Sequence, residues 1–542
     1  MYNNDNNINN YDRNNIGVNN NVNNRRLNSF LITNTDLWQQ SARIWIESCK
    51  QIAEHSQNVY NSWLDAVWRS LGSRQDVYKY NTKKQRKKIR ALVLQGGGAL
   101  GAFQAGAFKG LYEKLTKEDI QNGNKERPLF DIVIGTSIGA INAAVLVSHV
   151  VENKTWAGSV EKLVAFWEYL SSPTPDITKD SAIWKRELDK NRTGIASAEA
   201  ARRYYSVKQF LKSGTNKVYS PILPPKEDEK FFDSQNKKPL YDKQPLQISL
   251  EKFAKFPIAT SYDKGQPRLL IVATDVGEGK AVTFDSYEKD KDHLLTNNKE
   301  TRKTVYEGFN ENQIVIEYNE GINIQHVMAS ASLPDFYEYE KIDGREFWDG
   351  GILSNTPIRE LIQTHKEFWE YHIGSKELKD SILEEADLAV PDLEIYLINL
   401  WHSNDTSVPS DPDGITERHM DIKSHDQYYV NESILITHYI HLIKKLLQLG
   451  NNKDHDLRNE INKILDDYTI SRYAKEKPSK YLDILKAQFE ITKLETIDRR
   501  DDIHTIAGKI GDFTSETIKT LIKEGYESTW REYPQFVLQR QQ

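Results

Sequence analysis

Cysteine, methionine and long apolar runs are scarce in this chain. One cysteine, Cys49, and three methionines stand among 542 residues. A lone cysteine excludes an internal disulfide framework and any zinc site built on several thiolates. It fits a reducing compartment without proving one. Residues 1–30 hold no apolar core of a secretory signal. The longest mostly apolar stretch, 129–147, is broken by Asp131, Asn142 and glycines, so it reads as a core strand, a turn and a helix rather than a membrane span. Positive charge is not in excess either: 72 Lys+Arg against 78 Asp+Glu leave a formal net charge of −6. That balance argues against a nucleic-acid partner. The expected location is cytoplasmic.

What is present is material for three to four domains at roughly 150 residues each. Hydrophobic residues make up 38%, enough for a core, while 28% charged residues leave parts of the chain too polar to pack. Residues 1–33 are asparagine-rich and are expected to be a disordered tail. Residues 34–82 read as one long amphipathic helix. Trp38, Ala42, Trp45, Cys49, Ile52, Ser56, Val59 and Trp63 recur at alternating steps of four and three, behind Asn34 or Thr35 as a cap. Such a stripe suits docking on the protein body or pairing with a copy of itself. It also suits peripheral contact with a membrane, a lipid surface or a polyester granule, with its tryptophans at the interface. A basic run follows at Lys83, Lys84, Arg86, Lys87, Lys88 and Arg90, read as a solvated linker or as an attraction to anionic lipid.

From 89 to 400, apolar runs at 91–94, 132–134, 269–273 and 395–400 alternate with helical stretches. This predicts an α/β domain with a mostly parallel sheet covered by helices. Residues 219–241, rich in Pro, Lys, Asp and Asn, read as a surface loop or cap. Residues 401–542 are expected to be a mainly helical extension, clearest over 428–449 with Gly450 as its stop.

Three motifs fall in the α/β stretch. In the first, the strand ending at Leu94 runs into Gly96, Gly97, Gly98 and Gly101 just before a helix. Glycines allow a tight turn with bare amides, and a helix N-terminus adds a positive dipole end, so the loop suits a negative oxygen. Gly96, Gly98 and Gly101 also satisfy the dinucleotide spacing G-x-G-x-x-G. The second motif, Gly135-Thr136-Ser137-Ile138-Gly139, matches the nucleophile elbow G-x-S-x-G, with a strand before it and small residues after it. A Rossmann reading needs an acid near the end of that second strand, and Gly-Thr-Ser stands there instead. In the third, Asp349 precedes Gly350 and Gly351, and Asn355-Thr356-Pro357 follows. An isolated Asp-Gly-Gly is most simply a turn. The three in this order are much less accidental than any one.

With these motifs the chain resembles patatin-like lipid acyl hydrolases over 89–400, with further family-like text at 328–334 and 239–242. The resemblance implies a three-layer αβα sandwich and a Ser–Asp dyad without a catalytic histidine. It implies hydrolysis of glycerolipid, phospholipid or related acyl esters without a metal or other cofactor. The nucleophile falls on Ser137 and the proton acceptor on Asp349. The oxyanion hole falls on the backbone of Gly96, Gly97 and Gly98, joined by the Ile138 N–H. Leu100 departs from the family, which often carries Arg or Lys before the last glycine of the loop.

A full triad would require a histidine after the Asp, and His365, His372 and His402 satisfy that order without lying in any motif. Asp275 reads as a turn acid, and Asp411 and Asp413 as part of a turn rather than a calcium loop. Two other function classes compete: a nucleotide-dependent enzyme using Gly96 to Gly101, and a catalytically degenerate scaffold on a lipid or polyester surface. No oligomeric state is read from the pattern. If the tryptophan stripe binds lipid, deleting residues 1–82 should weaken co-sedimentation with vesicles and spare cleavage of a soluble short-chain ester. Equal loss of both would make the segment part of the fold.

Overall fold

The computed structural model describes residues 88–173, 195–222, 239–287, 303–306, 314–318, 321–334, 336–374, 390–401, 408–410, 412–451, 455–467, 480–499 and 508–531. Chain contacts divide it into two units, Met1–Gln85 and Arg86–Gln542. The tail assigned to 1–33, the helix assigned to 34–82 and the basic residues before Lys88 lie outside the described residues.

In chain order the elements are β1 (Lys88–Leu94), α1 (Ala102–Gln121), β2 (Ile132–Thr136), α2 (Ile138–Asn153), α3 (Ser159–Leu170), α4 (Ile195–Ser213), β3 (Ser220–Pro221), β4 (Tyr241–Asp242), α5 (Gln244–Glu251), β5 (Arg268–Asp275), β6 (Lys280–Asp285), β7 (Lys303–Tyr306) and β8 (Ile314–Tyr318). They continue with α6 (Ile324–Ser330), β9 (Glu340–Ile342), β10 (Arg345–Asp349), α7 (Ile358–Ile373), β11 (Asp392–Asn399), α8 (Pro412–His425), α9 (Gln427–Asn451), α10 (His455–Asp466), α11 (Tyr481–Leu485), β12 (Ile491–Asp498) and α12 (Ser515–Thr529).

The main sheet runs in the order β12-β11-β1-β2-β5-β6-β8-β7, and its first five strands are parallel. β10 pairs antiparallel with β5, setting Asp349 opposite Ala273. Alternating side chains split the core in two. Leu92, Leu94, Val133, Leu269, Ile271 and Tyr396 face the layer that contains α1, α2 and α3. Ala91, Val93, Ile132, Ile134, Leu270 and Ile395 face the layer containing Ile358 and Leu361 of α7. Apolar residues on both faces are what a central parallel sheet between helices requires, so the sandwich has three layers.

Several expectations need revision. The boundary at 400 does not hold. β12 hydrogen-bonds in parallel to β11 from Leu393 to Asn399, so an edge of the sheet comes from residues assigned to the helical extension. α12 lies on α1 at glycine contact: a Cβ at Gly106 would collide with the Ile522 carbonyl, and one at Gly525 with the Phe103 carbonyl. α9 continues past Gly450 to Asn451. Arg90 is no linker residue. It is 3% exposed inside β1 and makes a two-pronged pair with Asp119 at 2.6 and 2.7 Å. The segment 219–241 is anchored at both ends, where β3 pairs with β4 and the buried rings of Tyr219 and Tyr241 meet at 5.0 Å.

The glycine contact between α1 and α12 gives a stability test. Gly106→Ala or Gly525→Ala should lower unfolding stability by about 1–3 kcal/mol through overpacking, read as a lower urea midpoint at unchanged slope. An unchanged midpoint would show that α12 is not packed into the α/β body.

Candidate active site

β1, β2, β5 and β10 converge where β1 leads into the glycine loop and β2 leads into Ser137. Ser137 has φ 55 and ψ −124, a backbone state that non-glycine residues rarely adopt. The sequence holds it there by leaving no room for side chains on either side. A Cβ at Gly135 would run into the backbone of Gly139, and a Cβ at Gly139 into the carbonyl of Leu94. The Ser137 N–H donates to the Ser330 hydroxyl at 2.9 Å, and that hydroxyl donates to the Val272 carbonyl at 2.5 Å. Ser330 thus ties the elbow to β5. The signal for it lay in the family-like stretch 328–334, but nothing in that text showed what the serine holds.

Asp349 ends β10, and its carboxylate meets Ser137 across 212 residues of sequence. Ser137 Oγ donates to Asp349 Oδ2 at 2.6 Å, and the Gly351 N–H donates to Oδ1 at 2.7 Å. Thr274 Oγ1 donates to the Asp349 carbonyl at 3.0 Å, and the Asp349 N–H donates to the Ser332 carbonyl at 2.9 Å. A Cβ at Gly350 would strike the Val272 carbonyl, so only glycine lets the turn lie on β5. Asp349 is 4% exposed. Burial pushes its carboxyl from an ordinary 3.8 up to about 6, while the hydrogen bonds from Ser137 and Gly351 oppose the shift.

The glycine loop stands beside this pair but does not offer all three of its amides. The Gly96 N–H is directed to the Asn355 carbonyl at 3.3 Å. Gly96, expected among the oxyanion donors, therefore has its N–H engaged by a residue 259 positions away. The N–H groups of Gly97, Gly98 and Ile138 make no hydrogen bond among the described residues. Gly98 needs its positive φ of 57, and Gly101 packs where a Cβ would press on Ile138 and Trp167. Beneath the loop runs a buried polar chain that the sequence did not announce. Gln104 donates to the Gln95 carbonyl at 2.7 Å, Asn142 donates to Gln104 at 2.8 Å, and Trp167 donates to Asn142 at 3.0 Å.

Among the described residues, no histidine joins the pair. His365 is buried in the opposite layer with Nε2 at 2.9 Å from the Pro391 carbonyl and its ring against Phe489. His372 lies against Tyr262 and Phe368. His402 lies outside the described residues. Asp275 is held by Arg345 Nε at 2.6 Å and accepts the Glu278 N–H at 2.7 Å, which makes it a turn acid. Among the described residues, no group of three or more His, Cys, Asp or Glu is placed to hold a metal ion, and no helix is long and apolar enough to cross a membrane.

The shifted carboxyl can be tested through stability. Its folded value lies above that of an unfolded Asp, about 3.9. The penalty for an ionised Asp349 is therefore absent at low pH, grows as pH rises through about 6 and persists above. Asp349→Asn should raise the melting temperature at pH 8 and be close to neutral at pH 4. A variant no more stable than the parent at pH 8 would speak against a dry carboxyl.

A family model described as Patatin-like phospholipase matches residues 92–362, half of the chain. No match is found among curated proteins. Among solved structures, the crystal structure of VipD from Legionella pneumophila aligns at 13% identity. The alignment covers 84% of this chain and 72% of that chain, with a TM-score of 0.26.

Proposed function

The chain belongs to the patatin-like phospholipase family, and from that premise we propose that it is a serine acyl hydrolase that cleaves lipid esters with Ser137 as nucleophile and Asp349 as its base. The observation that carries the reading is the 2.6 Å hydrogen bond from Ser137 Oγ to a buried carboxylate. A serine hydroxyl is a poor nucleophile until a base takes its proton. An ordinary carboxylate is too weak a base for that task, and burial makes Asp349 stronger while leaving it mostly ionised near pH 7.

As Ser137 Oγ attacks the acyl carbonyl, its proton passes to Asp349 Oδ2. The carbonyl oxygen becomes an oxyanion, held by the N–H groups of Gly97, Gly98 and Ile138. The amide of Ser137 itself is not available, since Ser330 takes it. Asp349 then returns the proton to the leaving alcohol. Water next attacks the acyl-serine, with Asp349 taking its proton and passing one back to Ser137 Oγ. Loss of one oxyanion donor typically costs about 2.7–4 kcal/mol, so the loop contributes to rate on the scale of the pair itself. The substrate is a glycerolipid or phospholipid ester met at a lipid surface, without a metal or other cofactor in the reaction.

Ser137→Ala and Asp349→Asn should each lower turnover of a glycerolipid ester by more than about 10³-fold. His365→Ala and His372→Ala should keep kcat when corrected for folded protein. Since the ionised acid is the base, kcat/KM should rise with pH through about 6 and level off above. A fluorophosphonate probe that fails to label Ser137, or a histidine variant that alone abolishes turnover, would overturn the reading.

A further inference from the structure

We propose that Trp401 is a positioning residue for the oxyanion site: its indole N–H holds the carbonyl of Gly96 and thereby aims the N–H of Gly97. The inference rests on the Gly97 amide being an oxyanion donor, as proposed above. A peptide unit is planar, so the Gly96 C=O and the Gly97 N–H lie in one plane and point in opposite directions. Whatever fixes the carbonyl fixes the amide. Glycines on both sides leave that peptide free to rotate unless something outside the loop restrains it.

Two donors restrain it. Trp401 Nε1–H reaches Gly96 O at 2.6 Å, and the Asn355 amide reaches the same oxygen at 3.3 Å. Each donor is itself held. Trp401 is 4% exposed, its backbone N–H lies 3.3 Å from Gln95 Oε1, and the Lys509 ammonium sits 5.4 Å from its ring centroid. Lys509 is buried and paired with Asp421 at 2.7 Å and Glu417 at 3.3 Å, so that cation is fixed in turn. Asn355 donates to the Ser424 carbonyl at 2.6 Å, and its backbone N–H donates to Asp426 Oδ2 at 3.1 Å. Asp426 also accepts the Thr356 N–H at 3.2 Å, and its φ is a positive 55. The loop is closed from the far side as well, since a Cβ at Gly98 would lie 2.6 Å from the Ile510 carbonyl.

Trp401, Ser424, Asp426 and Lys509 all fall after residue 362, beyond the stretch that the family model matches. The chain therefore aims one of its three proposed oxyanion donors with the help of residues of its own C-terminal third. A misaimed donor still binds substrate, whose carbonyl is only weakly polarised, but it fails the oxyanion. Trp401→Phe keeps an aromatic ring and deletes the N–H together with the five-membered half of the indole.

The test uses full-length protein and a soluble ester. Trp401→Phe should lower kcat about 10-fold, less than the roughly 10²–10³-fold loss that follows removal of a donor. KM should stay within about twofold, the signature of an interaction made in the transition state. Affinity for a trifluoromethyl ketone, which forms a tetrahedral oxyanion on the serine, should fall by the same factor as kcat. An unchanged kcat, or a fall in kcat with unchanged ketone affinity, overturns the assignment. If Trp401→Phe fails to fold by circular dichroism, Asp426→Ala, which removes the acceptor of the Asn355 N–H, approaches the same carbonyl through Asn355. It should show the same split, and wild-type kinetics there overturn the assignment equally. Parent and Ser137→Ala are measured alongside. A parent without Ser137-dependent turnover removes the hydrolase reading and the assignment with it, whereas an active parent with an indifferent Trp401→Phe removes the assignment alone.

Discussion

A carboxylate taken out of water needs either a cation or donors enough to replace its hydration. Asp349 has donors of two kinds: one backbone amide two residues on, and one alcohol 212 residues back. That is a minimal set. It keeps the acid ionisable while leaving its carboxyl raised to about 6. A full oxyanion cradle around Asp349 or an arginine beside it would pull that value down and weaken it as a base. Under-solvation of this one side chain is the constraint from which the rest of the site follows. Ser137 must stand within reach, and the turn at Gly350 must lie against β5 so closely that no side chain fits.

Holding the serine there strains its backbone, by about 1–3 kcal/mol for a residue in so sparsely occupied a region. The surrounding contacts over-determine the elbow. Gly139 sits against the end of β1, Gly135 sits against Gly139, and Ser330 clamps the serine amide to β5. These contacts come from three strands of one sheet, whose register is set by their apolar alternation across two cores. The catalytic geometry proposed here is therefore a property of the sheet rather than of a flexible loop.

How much of this could be read beforehand depends on whether the information is local. The elbow, the glycine loop and the Asp-Gly-Gly turn are each spelled within six residues, because tight turns demand glycine at fixed spacing, and the sandwich follows from apolar runs separated by helices. What escaped detection is carried by single residues whose partners are remote. The engaged N–H of Gly96 depends on Asn355, and the clamp of Ser330 on Val272. Arg90 was misread because a basic run looks solvated, and only the fold brings Asp119 across to it. β12 carries Thr492, Lys493, Glu495 and Thr496 within eight residues. An edge strand is half exposed and has no reason to spell an apolar run, so the polar end of the chain concealed a strand.

That concealed edge bears on the site itself. β1, which ends in the glycine loop, is an interior strand only because β11 pairs with it from Lys88 to Leu94. β11 is covered in turn by β12. Both covering strands lie after residue 362, as do the indole and carboxylate that reach Gly96 directly or through Asn355. Strip them away and β1 becomes an exposed edge with its loop unrestrained on one side, although every motif residue is still present. Possession of the three motifs therefore places the two groups proposed to react. On the assignment proposed above, the direction of the Gly97 amide is set by Asn355 of the third motif together with residues outside all three motifs.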